Sequence, residues 1–227
     1  MWAIVPLKKD LDRAKQRLTD ALSVDERAAL MVAMIRDVLT ATTQTPRLSG
    51  VLLVSRADIA DDLAREFGIE LYIEAADADL SESVQAAAGY LMANRGAVGT
   101  MILHGDLPLV TAADLSTVLD AHERLTLVPD SDGEGTNCIV STPPNLIRYR
   151  FGFKSFKPHV EAAYDIGITP RIVRNERIGL DVDTPEDLTR VVGQMGPSNT
   201  RTYLESSGIA SRLGHTHNSS TPARSTS

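Results

Sequence analysis

Short apolar runs alternate with longer amphipathic stretches through the first 128 residues, and that alternation limits the folds open to the chain. The runs fall at 2–6, 51–55, 69–73, 100–104 and 125–128. Between them, apolar residues recur at helical spacing; Leu30, Met34, Val38 and Ala41 make one such stripe. Strands separated by single helices pair in parallel through right-handed crossovers, which lay helices on both faces of the sheet. A strand covered on both faces needs a continuous apolar run, and these runs are continuous. The sequence therefore predicts an α/β fold: a single Rossmann-like domain with a mostly parallel sheet and helices on both faces.

Local signals set the element ends. Ser23 and Glu26 form a capping box, in which the hydroxyl accepts from the third helical amide and the carboxylate reaches back. Gly68 and Gly96 end helices predicted over 58–67 and 82–94, and Thr111 caps one over 112–123. After Pro129 the pattern changes to a turn-rich polar loop over 130–137 and a short strand over 138–141. An aromatic stretch at 151–156, a helix over 159–166 and a strand over 171–173 follow. Thr184-Pro185-Glu186-Asp187 is a complete helix start, with an N-cap, a first-position proline and a third-position acid. A further helical turn is expected at 202–205. The domain is predicted to span 1–207. From 208 to 227 the composition is too polar to bury anything, and a disordered tail is expected.

Composition excludes several function classes. A net charge of −7 argues against non-specific nucleic-acid binding, which needs a basic face. No apolar run approaches the roughly 20 residues of a membrane span. The single cysteine, Cys138, cannot form an internal disulfide or build a thiolate zinc site. At the N-terminus the charges follow the apolar stretch, the wrong order for a signal peptide, so cytoplasmic residence is expected.

Two acidic turns carry the candidate chemistry. The run at 100–104 ends in Gly105-Asp106-Leu107-Pro108, which sets Asp106 just past the carboxyl end of a strand. Open α/β sheets bind ligands there, although Asp also serves simply to shape turns. Asp181 and Asp183 are two apart and share a face if the chain is extended. Thr184 already caps the following helix, so Asp183 has no structural task, and two like charges on one face repel unless a cation lies between them. Carboxylates at strand ends suit Mg²⁺, with a nucleotide triphosphate and water filling its octahedron. Lys8, Lys9, Arg13, Lys15 and Arg17 form a local excess of cations after the first strand, either a phosphate-gripping loop or a solvated helix face. There is no P-loop sequence and no dinucleotide fingerprint. His104, inside an apolar strand, reads as a hydrogen-bonded core residue, and His215 and His217 fall in the tail.

Val5-Pro-Leu-Lys8, Ala14-Lys-Gln-Arg-Leu18, Gly105-Asp-Leu-Pro-Leu109, Gly135-Thr-Asn137, Arg150-Phe-Gly152 with Ser155-Phe156, and Asp181-Val-Asp-Thr-Pro185 occur in this order. Together they resemble the CofC/FbiD guanylyltransferases of deazaflavin coenzyme F-420 biosynthesis, members of the nucleotidyltransferase class with a GT-A-like Rossmann fold that includes molybdenum-cofactor guanylyltransferases. The likeness runs from about Trp2 to about Glu205. It implies Mg²⁺ on Asp106, Asp181 and Asp183, with Asp106, Asp183 and Lys15 central to catalysis. It implies GTP contacts at Leu7, Lys8, Lys15, Arg17 and Ser81, and a phosphorylated acid held by Thr136, Gly152 and Ser155. Many relatives carry Asn at the position of Ser81, whose hydroxyl reaches less far toward a base. Candidate acceptors are 3-phospho-D-glycerate, to which the reading leans, phosphoenolpyruvate and 2-phospho-L-lactate. A downstream transferase acting on the deazaflavin Fo is the implied partner, and room is left for a homodimer. The rival readings are a nucleotidyltransferase of a molybdopterin or sugar phosphate, and a non-catalytic nucleotide-binding module.

Overall fold

The computed structural model describes residues 1–11 and 15–216. Seven strands form one sheet: β1 (Trp2–Pro6), β2 (Gly50–Val54), β3 (Glu70–Tyr72), β4 (Thr100–Leu103), β5 (Leu125–Pro129), β6 (Thr136–Ser141) and β7 (Arg171–Ile172), in the order β3-β2-β1-β4-β6-β5-β7. Every pairing is parallel except those of β6, which runs antiparallel between β4 and β5. The expected mostly parallel α/β sheet is the one observed. The helices are α1 (Val24–Thr43), α2 (Ala60–Phe67), α3 (Leu80–Arg95), α4 (Ala112–Asp120), α5 (Phe156–Asp165), α6 (Glu176–Gly179), α7 (Pro185–Val192), α8 (Asn199–Ser206) and α9 (Ile209–Thr216). No described helix is long and apolar enough to cross a membrane.

Neighbouring residues of each strand enter opposite layers. Val5, Leu53, Leu103 and Val140 pack with Leu30, Met34 and Val38 of α1, Leu63 of α2 and Leu115 of α4. Ile4, Leu52, Ile102 and Ile139 pack with Val84, Ala87 and Leu91 of α3 and Ala163 of α5. The strands are thus buried on both faces, the physical reason for their continuous apolar sequence. Capping boxes form at Ser23/Glu26, Asp79/Glu82, Thr111/Asp114 and Thr184/Asp187. Gly68 and Gly96 close α2 and α3 in the left-handed conformation.

Strand order runs backwards from β3 to β1 and then jumps to β4, so the crevice of this sheet opens between the carboxyl ends of β1 and β4. Gly105 makes the approach close. A Cβ there would stand 3.2 Å from the Pro6 carbonyl oxygen and 3.1 Å from Ile35, so a larger residue would push the turn after β4 away from β1.

The C-terminal region departs from the sequence reading. The expected turn at 202–205 is part of α8, and α9 occupies residues that composition assigned to a disordered tail. Ile209 and Leu213, four apart, join the α1-side core, and Arg212 pairs with Glu26 at 2.6 Å. A single apolar stripe suffices to dock one short helix, although the average composition is polar. Residues 217–227, including His217, lie outside the described residues, as does Arg13. Helix α8 is fastened to α1 by Asp37, whose carboxylate accepts from the amides of Asn199 (2.8 Å) and Thr200 (3.0 Å) and from Asn199 Nδ2 (2.9 Å). Asp37→Ala leaves these donors without their charged acceptor in a buried place. It is expected to lower stability by about 2–3 kcal/mol in urea denaturation, with the unfolding of α8 and α9 registered first by amide exchange.

Candidate active site

Beyond β4 the chain reaches His104, Gly105 and Asp106. The His104 amide donates to the Asn137 carbonyl (3.2 Å), extending the β4–β6 ladder to the edge of the crevice. The second acidic turn is held between two capped helices. Asn175 Oδ1 accepts from the amides of Arg177 and Ile178 to open α6. The Thr184/Asp187 box opens α7. Between them the Gly179 carbonyl accepts from the Ser131 amide (2.7 Å), and the Val182 amide donates to the Asp106 carbonyl (3.2 Å). That last bond joins the two turns directly. Carboxylate oxygens of Asp106, Asp181 and Asp183 consequently lie within 4.8 Å of one another. The convergence expected from the sequence is present, although the chain at 180–183 forms no regular strand.

Lys15 enters this cluster from the loop after β1. It adopts the left-handed conformation (φ 53°), and its side chain is only 6% exposed. Its ammonium donates to Asp106 and to Asp183 Oδ1, the latter at 2.8 Å. Burial works against the charge on Lys15, but the carboxylates of Asp106 and Asp183 hold its pKa above the ordinary lysine value. Burial likewise opposes the charge on Asp106, and Lys15 overrides it to keep this carboxyl below its usual range. Asp181 has no such partner. Burial and then the neighbouring Asp106 push it up to about 6, against the hydrogen bond from Asn137 Nδ2 (3.1 Å). Lys15 thus pairs with two of the three carboxylates, Arg17 stands at the edge of Asp183, and Asp106 Oδ1 is buried with no hydrogen-bond partner. An all-oxygen donor set with surplus negative charge and an orphaned carboxylate oxygen fits a hard divalent cation.

Thr136 and Ser155 are brought together, but as internal struts. Ser155 Oγ accepts from the Thr136 amide (3.0 Å), and both residues are buried. Gly152, at φ 137°, has nothing within 4 Å of a Cβ position, in an open loop that continues into the exposed Phe153. The sequence reading missed what holds this loop. Three successive amides are pinned by side chains: Tyr149 by Gln85 Oε1 (2.9 Å), Arg150 by His159 Nε2 (2.9 Å) and Phe151 by Ser81 Oγ (2.9 Å). Ser81, assigned to the guanine from the resemblance, has its hydroxyl engaged with the amide of Phe151. Because His159 Nε2 accepts from an amide, its proton is on Nδ1, which donates to Thr136 Oγ1 (3.0 Å).

The remaining residues divide. Leu7 is buried, its amide donating to the Val54 carbonyl (2.9 Å), whereas Lys8 is exposed at the crevice. Arg17 is mostly exposed, with Nη1 4.0 Å from Asp183 Oδ2. On the β1–β2 side, an open cavity of about 520 Å³ is lined by Lys9, Asp10, Arg56 and Asp58 among others. Arg56 was not singled out in the sequence, where a lone Arg after a strand carries no signal. His104 corrects its sequence reading: the residue is half-buried, and its Nε2, itself buried, has no hydrogen-bond partner.

His159 gives the 149–151 loop a pH signature. Burial holds its imidazole down to about 4, from 6.5. Between those values the unfolded chain binds the proton first, so stability is full above about 6.5 and drains away as pH falls toward 4. The loss attributable to this residue is roughly 3 kcal/mol. Urea denaturation across that window is expected to show a shallower pH slope for His159→Gln than for the natural chain.

A family model described as "Guanylyl transferase CofC like" matches residues 1–224. The phosphoenolpyruvate guanylyltransferase of Nocardia farcinica (strain IFM 10152) is 35% identical over 218 residues, 93% of either chain. The 2-phospho-L-lactate guanylyltransferase of Methanothermobacter thermautotrophicus is 30% identical over 203 residues, 89% of this chain and 88% of that one. Among solved structures, a Desulfovibrio desulfuricans G20 protein provisionally named a nucleotide-diphospho-sugar transferase superposes with a TM-score of 0.74 at 18% identity, over 93% of this chain and 97% of that one. A nucleotidyl transferase of Methanothermobacter gives 0.58 at 15% identity, over 90% and 98%. The structural neighbours share the fold; the sequence matches go further, and the chain belongs to the CofC-like guanylyl transferase family.

Proposed function

We propose that this protein transfers GMP from GTP to a small phosphorylated carboxylic acid, releasing pyrophosphate, in coenzyme F-420 biosynthesis. The observation that carries the reading is the meeting of Asp106, Asp181, Asp183 and Lys15 at the crevice between β1 and β4. The acceptors named for the relatives are phosphoenolpyruvate and 2-phospho-L-lactate. Both carry the phosphate on the carbon next to the carboxylate; 3-phospho-D-glycerate carries it one carbon further along.

A phosphate oxygen of the acceptor attacks the α-phosphorus of GTP in line, the bond to the β-phosphate oxygen breaks, and pyrophosphate leaves. A phosphate monoester is already a nucleophile at neutral pH, so no protein nucleophile is needed. That agrees with the buried Cys138, whose thiol burial pushes well above its usual pKa. The work left to the protein is positioning and charge compensation. Asp106, Asp181 and Asp183 would hold Mg²⁺, which when bound supplies neutralisation of the triphosphate. Lys15 exchanges its carboxylate partners for phosphate oxygens, and Lys8 and Arg17 add charge at the same mouth. Thr136, Gly152 and Ser155 mark the acceptor side, with Gly152 offering close backbone approach to an anion. The anhydride product would pass to a transferase acting on Fo.

Pyrophosphate release measured with Mg²⁺, with GTP, ATP or CTP, and with each of the three phospho-acids tests this directly. GTP with one phospho-acid is expected to support turnover. Asp106→Ala and Lys15→Ala are each expected to lose about 10²–10³ in kcat/KM, the scale of removing one preorganised electrostatic contact. Turnover of Asp106→Ala near the natural rate would overturn the site, and release with no acceptor at all would overturn the activity.

A further inference from the structure

We infer that His104 is a binding residue for the acceptor, its Nε2–H donating to the acid's phosphate group; this rests on the proposed guanylyl transfer. Among the described residues, the other buried or half-buried imidazoles are fully used. His159 bonds through both ring nitrogens to Thr136 and Arg150, and His122 through both to Thr126 and Thr142. His104 Nε2 is the exception, buried and without a partner. A buried polar atom left unmade is costly, and a fold keeps one where something else completes it.

Its position says what completes it. His104 follows Ile102 by two residues at the end of β4, and Ile102 belongs to the layer covered by α3 and α5. That is the acceptor side of the crevice. The ring lies 5.2 Å from Phe151, centroid to centroid, and Phe151 lies 5.1 Å from His159. The Phe151 amide is pinned by Ser81, so this aromatic row is held in place beside the open loop at Gly152. A metal is not the missing partner. The cluster of ligating atoms within 4.8 Å contains Asp106, Asp181 and Asp183 and no nitrogen of His104. The missing partner is therefore a hydrogen-bond acceptor that comes up to the triad from the Phe151 side. Of the reactants, the acid's phosphate must do so to reach the α-phosphorus. The two orphaned atoms near the triad then have complementary uses: Asp106 Oδ1 awaits a cation, and His104 Nε2 awaits an anion.

The test compares His104→Leu and His104→Gln with the natural protein. Leucine removes the unmade donor, so His104→Leu is expected to unfold at the same or a higher urea concentration. Its KM for phosphoenolpyruvate is expected to rise about 10-fold or more, the effect of one lost bond to a charged group, while KM for GTP stays unchanged. Glutamine, with a donor at similar reach, is expected to recover most of the loss. Calorimetric titration with phosphoenolpyruvate, 2-phospho-L-lactate and 3-phospho-D-glycerate in the absence of GTP supplies a readout independent of turnover. Unchanged acceptor KM and binding in His104→Leu would overturn this inference while leaving guanylyl transfer intact. Equal losses for GTP and acceptor, or no recovery in His104→Gln, would reduce His104 to a packing role. Absence of acceptor binding by the natural protein would remove the inference and the acceptor assignment together.

Discussion

The bond from the Val182 amide to the Asp106 carbonyl is the constraint on which the site depends. It fixes a turn from the middle of the chain against one near its C-terminal end, and it forces their carboxylates within 4.8 Å of one another. At that separation two unscreened carboxylates repel by roughly 3–4 kcal/mol at an effective dielectric of about 20. Backbone hydrogen bonds and capped helices on both sides hold the geometry against this repulsion. The Val182 bond closes the two turns on each other, and α6 and α7, opening on Asn175 and Thr184, anchor both ends of residues 180–183 against the carboxylates moving apart.

Lys15 makes the arrangement tolerable, but incompletely. Its ammonium bridges Asp106 and Asp183, one positive charge against two negative, and leaves Asp181, which responds by holding its proton to about pH 6. The left-handed backbone at Lys15 is a second sign that the site is not arranged for stability alone. Strain, surplus charge and two of the four buried unpartnered side-chain polar atoms among the described residues gather within a few residues of the crevice. Departures from local optimality of this kind concentrate where a chain is built to bind something it does not contain.

What could be read from the sequence was what local physics determines. Continuous apolar runs gave the strands, and Ser23, Thr111 and Thr184 gave helix starts that the structure reproduces. The acidic turns were visible because Asp183 had no capping task left to perform. Long-range hydrogen bonds were not visible. Nothing in the spelling of residues 81, 85 and 159 says that Ser, Gln and His will converge on three consecutive amides. Ser81 went to the nucleotide by resemblance, and only the fold reveals that its hydroxyl is spent on Phe151. Helix α9 was missed because composition averages over a window, while docking needs only Ile209 and Leu213 on one face.

The pinned amides set a rigid stretch of backbone beside an open one. Rigidity is concentrated where Tyr149, Arg150 and Phe151 meet α3 and α5, and it stops at Gly152, where no atom crowds the backbone. The same His159 that fixes Arg150 also supplies a proton to Thr136 Oγ1, which leaves the Thr136 hydroxyl hydrogen free to point elsewhere. Thr136 neighbours Asn137, and Asn137 in turn holds Asp181. A continuous chain of hydrogen bonds and covalent neighbours therefore runs from the loop at 149–151 to the carboxylate triad. His159 and Asn137 are therefore two links of one chain that ends on Asp181, whereas no atom lies within 4 Å of a Cβ position at Gly152.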